Sequence, residues 1–186
     1  LIDNFDSQLY DDAENTLSDY YTGDLSVASR TTQKSTSGDY SLLLDQGGQI
    51  ISTSGLNYPS QGDIYKVDFW LPTANTGVYA LFGVQNADNY YYTNVQDFEQ
   101  QWELIKVENG SETSLVDKTG QSIPQEQWAS QEIDWGTDGT IECRLYDSAD
   151  NLVSTISTTD STFTSGGIGF ETYNSHNRYW DSARLL

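Results

Sequence analysis

Positive charge is scarce in this sequence: 8 lysines and arginines stand against 28 aspartates and glutamates in 186 residues, a formal net charge of −20. That shortage argues against nucleic acids and anionic membrane surfaces as partners, because both are bound through clustered basic side chains. Cysteine occurs once, at Cys143, so no disulfide framework forms within the chain. Placed in alternation with Ile141 and Leu145, it reads as a small buried apolar residue rather than a nucleophile or metal ligand. Histidine also occurs once, at His176 in a polar stretch, which suggests no Ser/His/Asp arrangement. No glycine-rich phosphate loop precedes a helix. Apolar runs long enough to span a bilayer are missing, so membrane insertion is not expected. Helical periodicity is nowhere sustained.

What is present is aromatic and strand-like. Acidic disordered chains lack aromatics, whereas 13% of this chain is aromatic and its acids are scattered singly through periodic segments. A folded protein with this self-repulsion is favoured where salt shortens the Debye length to about 3 Å near 1 M. The simplest reading is a protein of a salt-loving organism or of a virus infecting one; an acidic surface protein from a milder setting, such as a calcium-rich adhesin, is the alternative. Length and the lack of a linker point to one domain spanning residues 1–186. Opening on Leu1 with no charged-then-apolar leader, the sequence reads as a mature or excised piece of a longer polypeptide.

Short strand-like runs are expected at 1–6, 25–30, 40–45 and 49–53, then through 63–107, and at 112–117, 127–135, 139–147, 151–158, 167–173 and 179–185, while 10–24 has no clear assignment. Turn chemistry at Gly47-Gly48, Asn109-Gly110, Asp138-Gly139 and 148–151 separates several of them. The fold class expected is all-β, a two-sheet antiparallel jelly-roll sandwich. Within 63–107, period two places Val67, Phe69, Val78, Phe82, Val84, Tyr91 and Val95 inward. Ile105 and Val107 are likewise taken as inward. If the four runs are neighbours in one sheet, its outer face gathers Asp68, Trp70, Tyr79, Gln85, Tyr90, Tyr92, Asn94 and Trp102, and Glu171 and Tyr173 join from a later strand. Flat aromatic rings stack on the apolar face of a pyranose while carboxylates and amides bond its hydroxyls. The bland alternative is that tyrosines simply favour strands.

In their order along the chain, Ile2-Asp3-Asn4-Phe5-Asp6, Ser37-Gly38-Asp39-Tyr40-Ser41-Leu42, Phe82-Gly83-Val84-Gln85, Gly166-Gly167-Ile168-Gly169-Phe170 and Tyr179-Trp180-Asp181-Ser182-Ala183-Arg184-Leu185 carry a resemblance. The chain resembles jelly rolls of the concanavalin A-like lectin and glucanase superfamily, in the style of laminin-G-like domains and carbohydrate-binding modules. The resemblance implies a structural calcium ion (Ca2+) held by Asp181, with Asn4 or Asp6 and Gly38 or Asp39 as partners. Period two supports a need for such a partner, since it puts Asp181 on the face of Ala183 and Leu185, where an uncompensated carboxylate is costly. An aspartate capping backbone amides or pairing with Arg178 or Arg184 is the other reading. Glucanases of the superfamily carry a Glu-x-Asp-x-Glu-type strand; Asp97-Phe98-Glu99 followed by Glu103 has neither its order nor its spacing.

The function expected is therefore a non-catalytic carbohydrate-binding module. It is expected outside the cell or on a cell or virion surface, and its partner is a polysaccharide or cell-surface glycan. An adhesive or structural module binding protein, and a glycoside hydrolase or polysaccharide lyase domain, are the alternatives.

Overall fold

The computed structural model describes residues 17–36, 38–45, 47–53, 59–73, 76–173 and 176–186. The opening run 1–6, with Asn4 and Asp6, lies outside the described residues. A four-residue helix, Leu17–Tyr20, is followed by β1 (Tyr21–Gly23), a 3-10 turn at Leu25–Val27, β2 (Ala28–Thr31), β3 (Ser41–Leu44), β4 (Gln49–Ser52), β5 (Ile64–Trp70), β6 (Gly77–Asn86), β7 (Asn89–Gln96), β8 (Gln101–Glu108), β9 (Ser111–Lys118), β10 (Trp128–Trp135), β11 (Thr140–Tyr146), β12 (Leu152–Thr159), β13 (Gly167–Tyr173) and β14 (Arg178–Leu185). They form two seven-stranded sheets. One runs β1-β4-β13-β6-β7-β8-β9, the other β12-β11-β10-β5-β14-β3-β2, and every pairing is antiparallel. The two-sheet sandwich expected from the sequence is what forms.

Alternation builds it. In β5 and β11 every second residue is buried, with Tyr65, Val67 and Phe69 on one strand and Ile141, Cys143 and Leu145 on the other. Cys143 is fully buried and free, enclosed in the core. Between the sheets, Phe82 and Tyr91 meet the edge of Trp135 at 5.3 and 5.8 Å between ring centroids. One polar contact crosses there too: the Thr93 hydroxyl donates to the Gln131 side-chain carbonyl. Both groups are buried, so each supplies what water would otherwise give the other.

Three expectations are corrected. First, β5 does not neighbour β6; it lies between β10 and β14 in the opposite sheet, which carries Asp68 and Trp70 away from the tyrosines of β6 and β7. Second, Trp102 faces inward. β8 is apolar on both faces, so period two alone does not orient it, and the pairing of Val95 with Trp102 puts the indole in the core while Ile105 and Val107 turn to the open face. Third, bulges reverse two strands partway. Gly83, at φ 61°, gives β6 an extra core-facing residue, so Val84 emerges on the open face beyond it. Ser182, at φ 50°, does the same to β14, so Asp181 and Ala183 lie on opposite faces instead of sharing the core side.

Candidate functional site

Register assembles the site. Across the open face of the first sheet, six strands contribute one row, Gln49, Glu171, Tyr79, Asn94, Glu103 and Asp117, each the cross-strand partner of the next. The next row is Ile51, Gly169, Leu81, Tyr92, Ile105 and Ser114. A polar row thus runs beside a mainly apolar one. Over both lies a groove of about 450 Å³ lined by Tyr79, Tyr92, Asn94, Glu103, Ile105, Glu112, Ser114, Glu171 and Tyr173.

Its floor is aromatic. Tyr79 and Tyr92 stack with centroids 5.2 Å apart and planes at 23°, and Tyr90 stands 6.0 Å from Tyr92. Tyr173 projects at one edge, 61% exposed. Its backbone is held from behind, where the carbonyl accepts from Thr76 Oγ1 at 3.2 Å and from the buried Arg178 guanidinium. Burial pulls that guanidinium down to about 10. Around the floor stand three carboxylates, each held by a neutral donor. Glu171 accepts from Gln49 Nε2 at 2.8 Å, Glu103 from Asn94 Nδ2 at 2.9 Å and Glu112 from the Tyr92 hydroxyl at 3.0 Å.

With no cation among the lining residues, burial holds Glu103 and Glu171 above the ordinary carboxylate range, an effect that Asn94 and Gln49 only partly offset. Burial and the surrounding carboxylates likewise push up the Tyr79 and Tyr92 phenols, and Tyr90 rises to about 12. These tyrosines are therefore neutral hydrogen-bonding groups at any physiological pH.

Of the residues singled out from the sequence, Tyr79, Tyr92, Asn94, Glu171 and Tyr173 come together in the groove, and Tyr90 adjoins it with its hydroxyl accepting from Gln49 at 2.9 Å. Gln85 lies past the Gly83 bulge, where its amide donates to the carbonyls of Gly83 and Ser165. Trp102 is enclosed in the core. Asp68 and Trp70 occupy the outer face of the other sheet: Lys34 Nζ sits 3.6 Å over the Trp70 ring, and Asp68 accepts from Arg184 at 3.3 Å. Burial raises the Asp68 pKa in spite of Arg184. Sequence reasoning missed Glu103, Ile105, Glu112, Ser114 and Gln49. A usable signal existed for β8, because Leu104 is as apolar as Ile105 and should have left both orientations open.

Asp181 is fully buried beside Asp68 on that outer face. Its Oδ2 accepts from the Thr36 amide at 2.6 Å and hydroxyl at 2.8 Å, and its Oδ1 accepts from the Ser182 amide at 2.6 Å. The Gly38 carbonyl accepts from Ser35 Oγ at 3.1 Å, and Asp39 is exposed. Donors aimed at both oxygens of Asp181 fit a hydrogen-bonded brace. Among the described residues no three histidine, cysteine, aspartate or glutamate side chains gather as a metal site; Asn4 and Asp6, the other partners expected for calcium, lie outside the described residues.

No protein-family model matches the chain, and no curated protein sequence matches it. Solved structures do. The carbohydrate binding module CBM66 from Bacillus subtilis superposes with a TM-score of 0.63 at 17% identity, covering 89% of this chain and 94% of its own. The VIP36 exoplasmic/lumenal domain in its Ca2+/Man3GlcNAc-bound form gives 0.66 at 11% identity, over 90% and 84%. A Bacillus licheniformis beta-glucanase gives 0.61 at 10% identity, over 93% and 94%. At these identities the likeness is one of fold, and the fold of this chain is the two-sheet jelly-roll sandwich that these structures share.

Proposed function

We propose that this chain is a non-catalytic glycan-binding module whose site is the groove on the open face of β13, β6, β7, β8 and β9. One observation carries the reading: stacked tyrosines form the floor of a groove rimmed by carboxylate and amide acceptors. That is the combination a pyranose requires, an apolar ring face against an aromatic and hydroxyls toward acceptors. Among its fold neighbours, CBM66 is a carbohydrate binding module and the VIP36 domain binds Man3GlcNAc, which supports it. Binding is favoured over hydrolysis by spacing. Glu103 and Glu171 stand three strands apart, about 14 Å between backbones at ~4.8 Å per strand, where a retaining glycosidase needs carboxyls about 5 Å apart; Asp117, paired across from Glu103, accepts from Gln101 and does not line the groove.

The setting proposed is extracellular or surface-displayed and saline, supported by the acid excess. The test is a retention screen on soluble and insoluble polysaccharides in about 2 M salt, which screens surface charge to a few Å. Retention on one polysaccharide class, lost in Tyr79→Ala and Tyr173→Ala, is expected. A folded protein retained on none, or bound to a surface protein in a manner no sugar competes away, overturns the proposal.

Calcium is tested separately. A melting temperature that rises when Ca2+ is added to chelated protein, and no longer rises in Asp181→Asn, would support an ion held by Asp181 with Asn4 or Asp6 and Gly38 or Asp39. No rise leaves Asp181 as the brace that Thr36 and Ser182 make it.

A further inference from the structure

Donors and acceptors are unequally distributed in the groove. Every donor that reaches its three carboxylates in the described structure belongs to the protein and is already used: Gln49 on Glu171, Asn94 on Glu103, Tyr92 on Glu112. The Tyr79, Tyr173 and Ser114 hydroxyls in the lining can still donate, but its charged groups are all acceptors. The lining contains three glutamates and no lysine, arginine or histidine.

A second observation is independent of that charge. Asn94 lines the groove and is only 4% exposed, and its Oδ1, closed off beside Gly77 and the edge of the Tyr79 ring, has no hydrogen-bond partner among the described residues. Its orientation is fixed, because only the amide nitrogen can face the Glu103 carboxylate. A buried carbonyl oxygen without a donor is costly, and a donor that displaces the edge of the Tyr79 ring to reach it removes the cost. Sugar hydroxyls both donate and accept, whereas an ammonium only donates and brings the charge that these glutamates lack. The glutamates are too dispersed to be met by one metal ion, since no three acidic side chains gather as a metal site among the described residues. An organic cation can bridge such a spread, and the exposed parts of the Tyr79 and Tyr173 rings accept one.

Building on the glycan-binding reading above, we propose that the groove selects an amino sugar with a free, protonated amine over its N-acetylated or neutral counterparts, and rejects uronic or sulfated glycans. N-acetylation would add a carbonyl acceptor where acceptors already crowd and would remove the positive charge. The raised carboxyl groups of Glu103 and Glu171 are what such a ligand would relieve.

Because an acidic protein attracts any polycation, the test uses short oligomers and site variants. Calorimetric affinities of a β-1,4-linked glucosamine tetramer, its N-acetylated form and the glucose tetramer are compared at about pH 6 in about 1 M salt, where the Debye length is ~3 Å. The expected result is at least tenfold tighter binding of the free-amine tetramer, with the preference cut at least threefold by Glu103→Gln, Glu171→Gln or the exposed Glu112→Gln. Asp150→Asn, at an exposed turn of the opposite sheet, should change nothing. Should Glu103→Gln or Glu171→Gln fail to fold, Glu112→Gln alone decides. Equal or tighter binding of the acetylated or neutral tetramer, or a preference that survives the groove substitutions, overturns the inference and leaves the glycan reading standing. Binding of none of the three, with no retention in the polysaccharide screen, overturns both.

Discussion

Trp102 and Tyr79 belong to the same sheet and do different work. Trp102 is enclosed between the sheets, so Trp102→Ala should cost about 3–5 kcal/mol and shift the urea midpoint strongly. Tyr79 gives up a stack worth about 0.5–1.5 kcal/mol; Tyr79→Ala should unfold cooperatively near the wild-type midpoint yet lose tenfold or more in glycan retention. Normal stability with lost retention in Trp102→Ala would contradict the burial assigned to it. Asp181 makes a third case. Asp181→Ala leaves the Thr36 amide, the Thr36 hydroxyl and the Ser182 amide without their acceptor, at about 1–3 kcal/mol for a stranded buried donor, and denaturation should show a loss of that order or more. At this scale the sequence was readable where a strand is apolar on one face only. Tyr92, Asn94 and Glu171 follow from period two, whereas Glu103 was hidden because β8 carries Trp102 and Leu104 on one face and Ile105 and Val107 on the other.

Among the elements, the bulges decide which residues reach the site and which do not. Gly83 adopts φ 61°, and a Cβ there would lie 2.9 Å from Trp135 Cη2. Gly83→Ala therefore combines a disfavoured backbone with overpacking, and should destabilise by about 2 kcal/mol, read by thermal and urea unfolding. A neutral result would mean that the bulge relaxes into a regular strand. An isolated glycine within a strand pattern is a recognised bulge signal, so this reversal was available from sequence; Ser182 carried no comparable mark. The placement of β5 was less legible still. Sequential strands are neighbours about two-thirds of the time, and the step from β5 to β6 is one that changes sheet, a decision made by pairing with β10 and β14, far along the chain.

For the whole molecule, the alternation of many short runs with glycine-rich turns was enough to specify a sandwich, because any such chain must bury one face of each strand against another sheet. Charge then sets the conditions under which it is stable. Glu103, Glu171 and Asp68 are raised in the folded protein, so between their ordinary values and the raised ones the native state holds more protons than the unfolded chain, and stability falls as pH rises. Asp160 behaves oppositely. Burial opposes its ionisation, but donors from Tyr91, Thr162 and Lys106 bring it down to about 2, and Asp138 and Asp147 are lowered by local hydrogen bonds. Their contribution is complete above their ordinary value of 3.8 and is lost as pH falls through their lowered values, for Asp160 about 2. Stability should therefore be highest at about pH 4 and fall as pH rises through the raised carboxyls, in denaturation curves at constant ionic strength; a steady climb to pH 8 would contradict these shifts. Raising salt from about 0.01 to 1 M, which shortens the Debye length from ~30 to ~3 Å, should raise the melting temperature.

Cys143 gives the molecule a clock. With no methionine in the chain, its thiol is the one sulfur atom present, and it is sealed in the core. Burial suppresses the reactive thiolate as well as access to it. An alkylating reagent can therefore mark the chain only when the sandwich opens, and the rate at which a single adduct accumulates in the mass spectrum counts those openings without any engineered label.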